Sequence, residues 1–245
     1  MSKFYAIIVG AGSGTGASVA LRFAKSYSVV LLARKSTNYQ PIVDEIRAAG
    51  GSAFGYTADA ADPASVDTAF SQIDKDLKGV QLAAAVYNAN AGFAYKPFLD
   101  LKPEDLDTSL STATNGLFYF AQKAIPRLLA AVPSSPHPPS LIVTGATASI
   151  RGSAKFLTFA AGKFAQRGIT QSLAREFGPQ GVHVALAIID GGIDTPWGKD
   201  RVVNNGVEDG KISPEAIAEN YWHLHTQHRS AFTHELDIRP YVEKF

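Results

Sequence analysis

Gly10-Ala11-Gly12-Ser13-Gly14-Thr15-Gly16 follows directly on the apolar run Phe4-Tyr5-Ala6-Ile7-Ile8-Val9 and leads into an amphipathic stretch, Thr15–Ser26. That order of strand, glycines and helix decides the fold. Glycine permits positive φ and lets the backbone approach a pyrophosphate, whose charge is favoured at a helix N-terminus. Outward from this turn the chain alternates. Phe4–Val9, Val29–Ala33, Ala53–Tyr56, Leu82–Tyr87, Leu141–Thr144 and Val182–Ile188 are continuously apolar, as strands buried on both faces should be. Helices are expected between them at Thr15–Ser26, Pro41–Ala49, Pro63–Lys78, in one long stretch from Leu106 to Ala131, and at Phe156–Phe177. A further helix at Pro214–His225 and a short strand at Glu235–Ile238 follow. The alternation predicts an α/β Rossmann fold, a doubly wound parallel sheet of about seven strands with helices on both faces. Residues 1–245 read as a single dinucleotide-binding domain, with Pro133–Pro139 as a surface loop before the fifth strand.

The totals narrow the class of partner. A net charge of +1 offers no electrostatic reason to bind nucleic acid or an anionic membrane. Having no cysteine, the chain has no disulfide framework, no thiolate nucleophile and no cysteine-based zinc site. No apolar run approaches the ~20 residues that span a bilayer, and the N-terminal run is too short for a signal peptide. The expectation is a cytoplasmic protein that acts on a small molecule. His223, His225 and His228 lack a carboxylate at ligand spacing, so a surface or interface role is expected for them, and no metal.

The second strand selects the cofactor. NAD sites place an Asp or Glu about 20 residues beyond the glycines, on the ribose 2′-hydroxyl. Here no carboxylate occurs before Asp44, and the strand runs into Arg34-Lys35. Their charges suit a 2′-phosphate, Arg34 in a bidentate fork. NADP(H) is therefore preferred over NAD(H).

The spacing Gly10-x-x-x-Gly14-x-Gly16 resembles the short-chain dehydrogenase/reductase family, and the resemblance runs over nearly the whole chain. Asp59, with Ala60, stands where that family bonds the adenine. Ala89-Asn90-Ala91-Gly92 resembles its Asn-Asn-Ala-Gly, with Ala89 a departure. Asn115 matches the family's structural and proton-relay asparagine. Ile193 and Thr195, in Ile189-Asp190-Gly191-Gly192-Ile193-Asp194-Thr195, match the loop that holds the nicotinamide carboxamide, with Asp190 where proline is usual. The implied cofactor set is Gly10, Gly12, Ser13, Gly14, Thr15, Gly16, Arg34, Lys35, Asp59, Ala60, Asn90, Ala91, Gly92, Lys163, Ile193 and Thr195.

The family's active centre is Tyr-x-x-x-Lys, with a serine about thirteen residues earlier. Here the helix reads Phe159-Ala160-Ala161-Gly162-Lys163, and the serine falls on Ala146 or Thr147. A phenyl ring has no proton to give to a carbonyl oxygen. One reading keeps a reductase with another donor, or with a substrate such as an iminium or activated alkene that needs none as hydride arrives. A second keeps the cofactor site for scaffolding or sensing. A third turns the pocket to a non-redox cyclisation or elimination. Phe159 and Trp197 suggest an apolar substrate. Candidate replacement donors are Thr147, Tyr95 and Asp190, although Asp190 and Asp194 are expected to bond amides of their own loop and Tyr95 to pack. The apolar residues of the two long helices imply a homodimer or homotetramer.

Overall fold

The computed structural model describes residues 2–90 and 92–244. Its centre is one parallel sheet of seven strands in the order β3-β2-β1-β4-β5-β6-β7. The strands are β1 (Phe4–Val9), β2 (Ser28–Ala33), β3 (Ala53–Thr57), β4 (Gln81–Tyr87), β5 (Ser140–Thr144), β6 (His183–Ile189) and β7 (Glu235–Ile238). Every pairing is parallel, as in Ile7 with Val30 and Ala85. Parallel neighbours need crossover connections, and helices α1 (Thr15–Ala24), α2 (Ser36–Ala48), α3 (Pro63–Asp76), α4 (Pro103–Leu110), α5 (Leu117–Ala131), α6 (Leu157–Phe177) and α7 (Pro214–Thr226) provide them. Successive strand residues point to opposite faces. Tyr5, Ile7 and Val9 therefore join a core with Phe70 of α3, Leu128 of α5 and Leu173 of α6. Ala6 and Ile8 join another with Phe23 of α1, Val43 of α2 and Tyr221 of α7. Burying each large apolar side chain contributes roughly 1.5–3 kcal/mol.

Two helices differ from the expectation. Helix α2 begins at Ser36, not Pro41, and carries Pro41 inside it. The proline removes one amide, but Tyr39 holds the early turn down. Its hydroxyl lies 3.2 Å from Thr57 Oγ1, and its ring packs so closely on Gly55 that a Cβ there would strike it. The long helix expected from Leu106 to Ala131 is broken into α4, a π-helical turn at Ser111–Gly116, and α5. Within that turn Tyr87 Oη donates to the Thr112 carbonyl at 2.6 Å. The histidine expectation also needs correction. His225 is buried, with Nε2 2.9 Å from Tyr27 Oη and Nδ1 2.8 Å from Ser140 Oγ. Burial pushes its pKa down to about 3, so it is a neutral core side chain.

β7 is tied to α6 by a bidentate pair: Arg167 Nε and Nη2 donate to Glu235 at 2.8 and 2.9 Å. The guanidinium holds the Glu235 carboxyl below the usual range. A depressed carboxyl stabilises above its unfolded pKa and loses that contribution as pH falls through the folded value. Glu235→Gln should therefore cost about 0.5–1 kcal/mol at pH 7 for a partly exposed pair. Urea denaturation at a series of pH values from 7 downward checks this, since the difference should shrink as pH falls through the depressed value of Glu235.

Candidate active site

Strand order reverses between β1 and β4, each returning to the other side, so the C-terminal ends of these neighbours open into a crevice. The glycine loop leaves β1 there and Asn88–Asn90 leave β4. Asn88, which the sequence reading passed over, holds the two together. Its amide donates to the Gly10 carbonyl at 3.1 Å, and its backbone N–H donates to Val9. Gly10 has φ +83°, and a Cβ on it would lie 2.6 Å from the Ala89 nitrogen. Gly16 is equally constrained, its absent Cβ falling 2.7 Å from the Gly10 oxygen. Gly14 caps α1 without a side chain, no acid stands in the first turn, and the space at Gly12 is open. Helix α1 thus presents uncapped amides and positive dipole to the crevice, which fits a dinucleotide's pyrophosphate.

The crevice has two parts. The outer hollow, about 270 Å³, is lined by Arg34, Asn38, Asp59, Ala60, Asn90 and Thr112, among others. Asp59 Oδ1 also accepts the Ala61 amide at 3.0 Å, shaping the turn beside it. The inner cleft, about 690 Å³, is lined by Gly12, Gly14, Thr15, Gly16, Lys163, Ile193 and Thr195, together with aromatic rings. Asn88, Asn90 and Trp197 line both parts. Trp197 is 72% exposed and its ring lies over Gly14. Of the residues the resemblance implies for a cofactor, Lys35 and Ser13 are exposed beside the crevice, Gly92 follows Asn90 with φ +88°, and Ala91 lies outside the described residues.

At the inner end Phe159 stacks on Phe93 with centroids 4.7 Å apart, and Phe156 lies 5.2 Å from Phe93. Tyr95 meets Phe156 edge-on at 4.9 Å but is exposed and does not line the cleft, so it packs behind the wall. Lys163 is 5% exposed; its Nζ lies 5.8 Å from the Phe159 ring centre and donates to the Thr144 carbonyl at 2.8 Å and to Gln166 Oε1 at 2.9 Å. Burial lowers its pKa to about 8. Ala146 lines this end beside Thr147.

The proton-handling candidates are placed differently from the expectation. Thr147 donates its hydroxyl to Asp190 Oδ1. Asp190, buried just past the C-terminal end of β6, also pairs through Oδ2 with Arg239 at 2.9 Å. Its carboxylate bonds a hydroxyl and a guanidinium, not amides of its own loop, and Asp194 faces Lys211 at 3.5 Å. So engaged, Asp190 is an acceptor and Thr147 has spent its proton. Asn115 is solvent-exposed and lines neither part of the crevice, because it falls on the outer side of the Ser111–Gly116 turn. The residue of that turn facing α6 is Ala113, against Gly162. Tyr87 and Tyr221 are buried, which pushes both phenols up, and they bond Thr112 and Thr144. Gln166, Phe93 and Arg239 were not singled out in the sequence; only a side-chain contact identifies them.

Comparison with known proteins agrees with this geometry. A family model described as short chain dehydrogenase matches residues 5–205. A short-chain dehydrogenase/reductase of Armillaria gallica is 30% identical over 195 residues, covering 78% of this chain and 71% of the relative. The crystal structure of a short-chain dehydrogenase from Rhodopseudomonas palustris matches at 30% identity and a TM-score of 0.81, over 98% of this chain and 100% of that one. A short chain dehydrogenase from Burkholderia cenocepacia, solved in complex with NADP, matches at 25% identity and a TM-score of 0.83 over 97% of each chain. Among the described residues no helix is long and apolar enough to cross a membrane. The sheet order, the glycine loop and the family match over residues 5–205 agree: this chain belongs to the short-chain dehydrogenase family and is an oxidoreductase of that type.

Proposed function

We propose that the chain is an NADP(H)-dependent reductase of small apolar substrates, working without a phenolic proton donor. The observation that carries this is one continuous crevice. It runs from Arg34 past the uncapped start of α1 to Lys163 and the Phe93–Phe159 stack. Arg34, with Lys35 beside it, would hold the 2′-phosphate, Asp59 and Ala60 would flank the adenine, and the glycine loop would take the pyrophosphate. Lys163, Asn90, Ile193 and Thr195 would hold the nicotinamide ribose and carboxamide. The relative solved with NADP supports the choice of cofactor. Bound there, the nicotinamide supplies hydride. The chain's own part is to fix a flat apolar substrate on the aromatic wall and to keep water from it. A carbonyl, an imine or iminium, and an activated alkene all fit that wall. The apolar side chains at Ala146 and Phe159 favour those that need no proton as hydride arrives.

The test is NADPH oxidation across ketones, imines and activated alkenes, with NADPH binding followed by fluorescence. Turnover of an imine or alkene is expected. Tight NADPH binding with uniform inactivity would replace the reductase by a scaffold or sensor. Product formed without NADPH consumption would replace it by a non-redox enzyme.

We also propose a homodimer or homotetramer. Phe118, Leu157 and Phe164 are exposed apolar side chains on α5 and α6, and Phe98 and Leu99 are exposed just before α4, more than a solvated surface needs. Light scattering at micromolar concentration should give a multiple of the 26.1 kDa chain; a monomer would refute the assembly.

A further inference from the structure

We propose that Gln166 is a positioning residue that holds the Lys163 ammonium at the Phe159 end of the cleft. Gln166 is fully buried, one helical turn after Lys163 on α6, so the two side chains share a face. Its Oε1 accepts from Nζ at 2.9 Å, while its Nε2 is buried without a hydrogen-bond partner. A buried amide that leaves two donor hydrogens unsatisfied is costly, and an apolar residue of similar size would avoid that cost. The side chain is thus placed for what its oxygen does, and that oxygen bonds Lys163. An ammonium has three protons. The Thr144 carbonyl takes one at 2.8 Å and Gln166 a second, fixing the direction of the group and leaving the third for a ligand in the cleft that Lys163 lines.

The arrangement also sets the charge. Burial favours the neutral amine, and a hydrogen bond accepted from the charged form opposes that. No carboxylate does this work: β5 and the Ser111–Gly116 turn carry no ionisable side chain. Asp105 of α4 is paired with Lys96, Glu235 of β7 with Arg167, and Glu243 of the cleft accepts from Asn204. Tyr221 bonds Thr144 Oγ1, and Asp190 is paired with Arg239. Gln166 therefore keeps Lys163 oriented and cationic without neutralising it.

This inference rests on the crevice being the cofactor site, but its principal test does not need cofactor. Lysine side-chain ¹⁵N NMR follows the Lys163 titration, the signal being identified by its loss in Lys163→Arg. Gln166→Leu should lower the midpoint by about half a pH unit or more, because the charged form loses an acceptor. Gln166→Glu should raise it. NADPH should bind about fivefold more weakly to Gln166→Leu, by fluorescence titration, as the ammonium loses its fixed direction. An unchanged midpoint in both variants would overturn the proposal. If thermal denaturation shows Gln166→Leu unfolded, Gln166→Met and Gln166→Glu decide by the same titration. Should the unaltered protein fail to bind NADPH, the proposed function falls, while the Lys163 titration still judges Gln166.

Discussion

Replacing Arg34 by alanine is expected to weaken NADPH binding on the order of ten- to a hundredfold and to leave NADH binding within about twofold. Arg34 follows directly on β2 and lines the outer hollow with Asp59 and Ala60, which lie just past β3. No acid stands on β2 or before it to repel a phosphate. A guanidinium offers a planar pair of N–H groups to phosphate oxygens, and hydrogen bonds between charged groups contribute about 1.5–3 kcal/mol. Arg34 is exposed, which screens the pair and favours the lower end. Lys35, equally exposed, provides a second charge, so Arg34→Ala/Lys35→Ala should go further. Fluorescence titrations with both nucleotides at fixed ionic strength check this. A parallel loss for NADPH and NADH would mean that Arg34 shapes the hollow and does not read the 2′ position.

How much of this was legible in the sequence depends on how local each feature is. Buried parallel strands are continuous apolar runs, so β1, β2 and β6 were visible within a residue or two. The glycine loop is contiguous, and its context between strand and helix made it specific. Positions that depend on distant partners were not visible. Thr147 looked like a free hydroxyl, and only folding brings it to Asp190, 43 residues away. Asp190 looked like a candidate acid until Arg239 came beside it. Asn115 matched a pattern by its place along the chain, but it lies on the outer side of the π-turn, and the residue facing α6 is Ala113. The Lys163–Gln166 spacing was in plain view, yet spacing alone gives a shared helix face, not burial. His225 reads as a surface histidine until Tyr27 and Ser140 close on its two nitrogens.

Phe159→Tyr combined with Ala146→Ser is expected to raise NADPH-dependent reduction of simple ketones by about 10²–10⁴-fold over the unaltered protein. Phe159→Tyr alone should give a smaller gain. Both positions line the inner cleft, and Lys163 Nζ lies 5.8 Å from the centre of the Phe159 ring. A hydroxyl on that ring would come under the influence of a fixed ammonium, which favours the phenolate and so lowers the phenol's pKa toward neutrality. A phenol so tuned can give its proton to a carbonyl oxygen. Ala146 matters because the substrate oxygen must also be aligned, and Thr147 cannot do it while it donates to Asp190. A serine at 146 provides that hydroxyl without disturbing the Thr147–Asp190–Arg239 chain. The native substrate should behave in the opposite sense, turning over no faster or more slowly, because the wall at Phe93 and Phe159 is apolar and a hydroxyl there must be desolvated. Phe159→Leu separates the two effects, since it removes the ring and adds no acid; it should impair the native reaction and give no ketone activity. The measurement is kcat/KM for paired ketone and imine substrates in all four proteins. Rapid ketone reduction by the unaltered protein would mean that a donor already stands in the cleft. Lys163 would then be the first residue to replace, its ammonium being the buried cation beside Phe159.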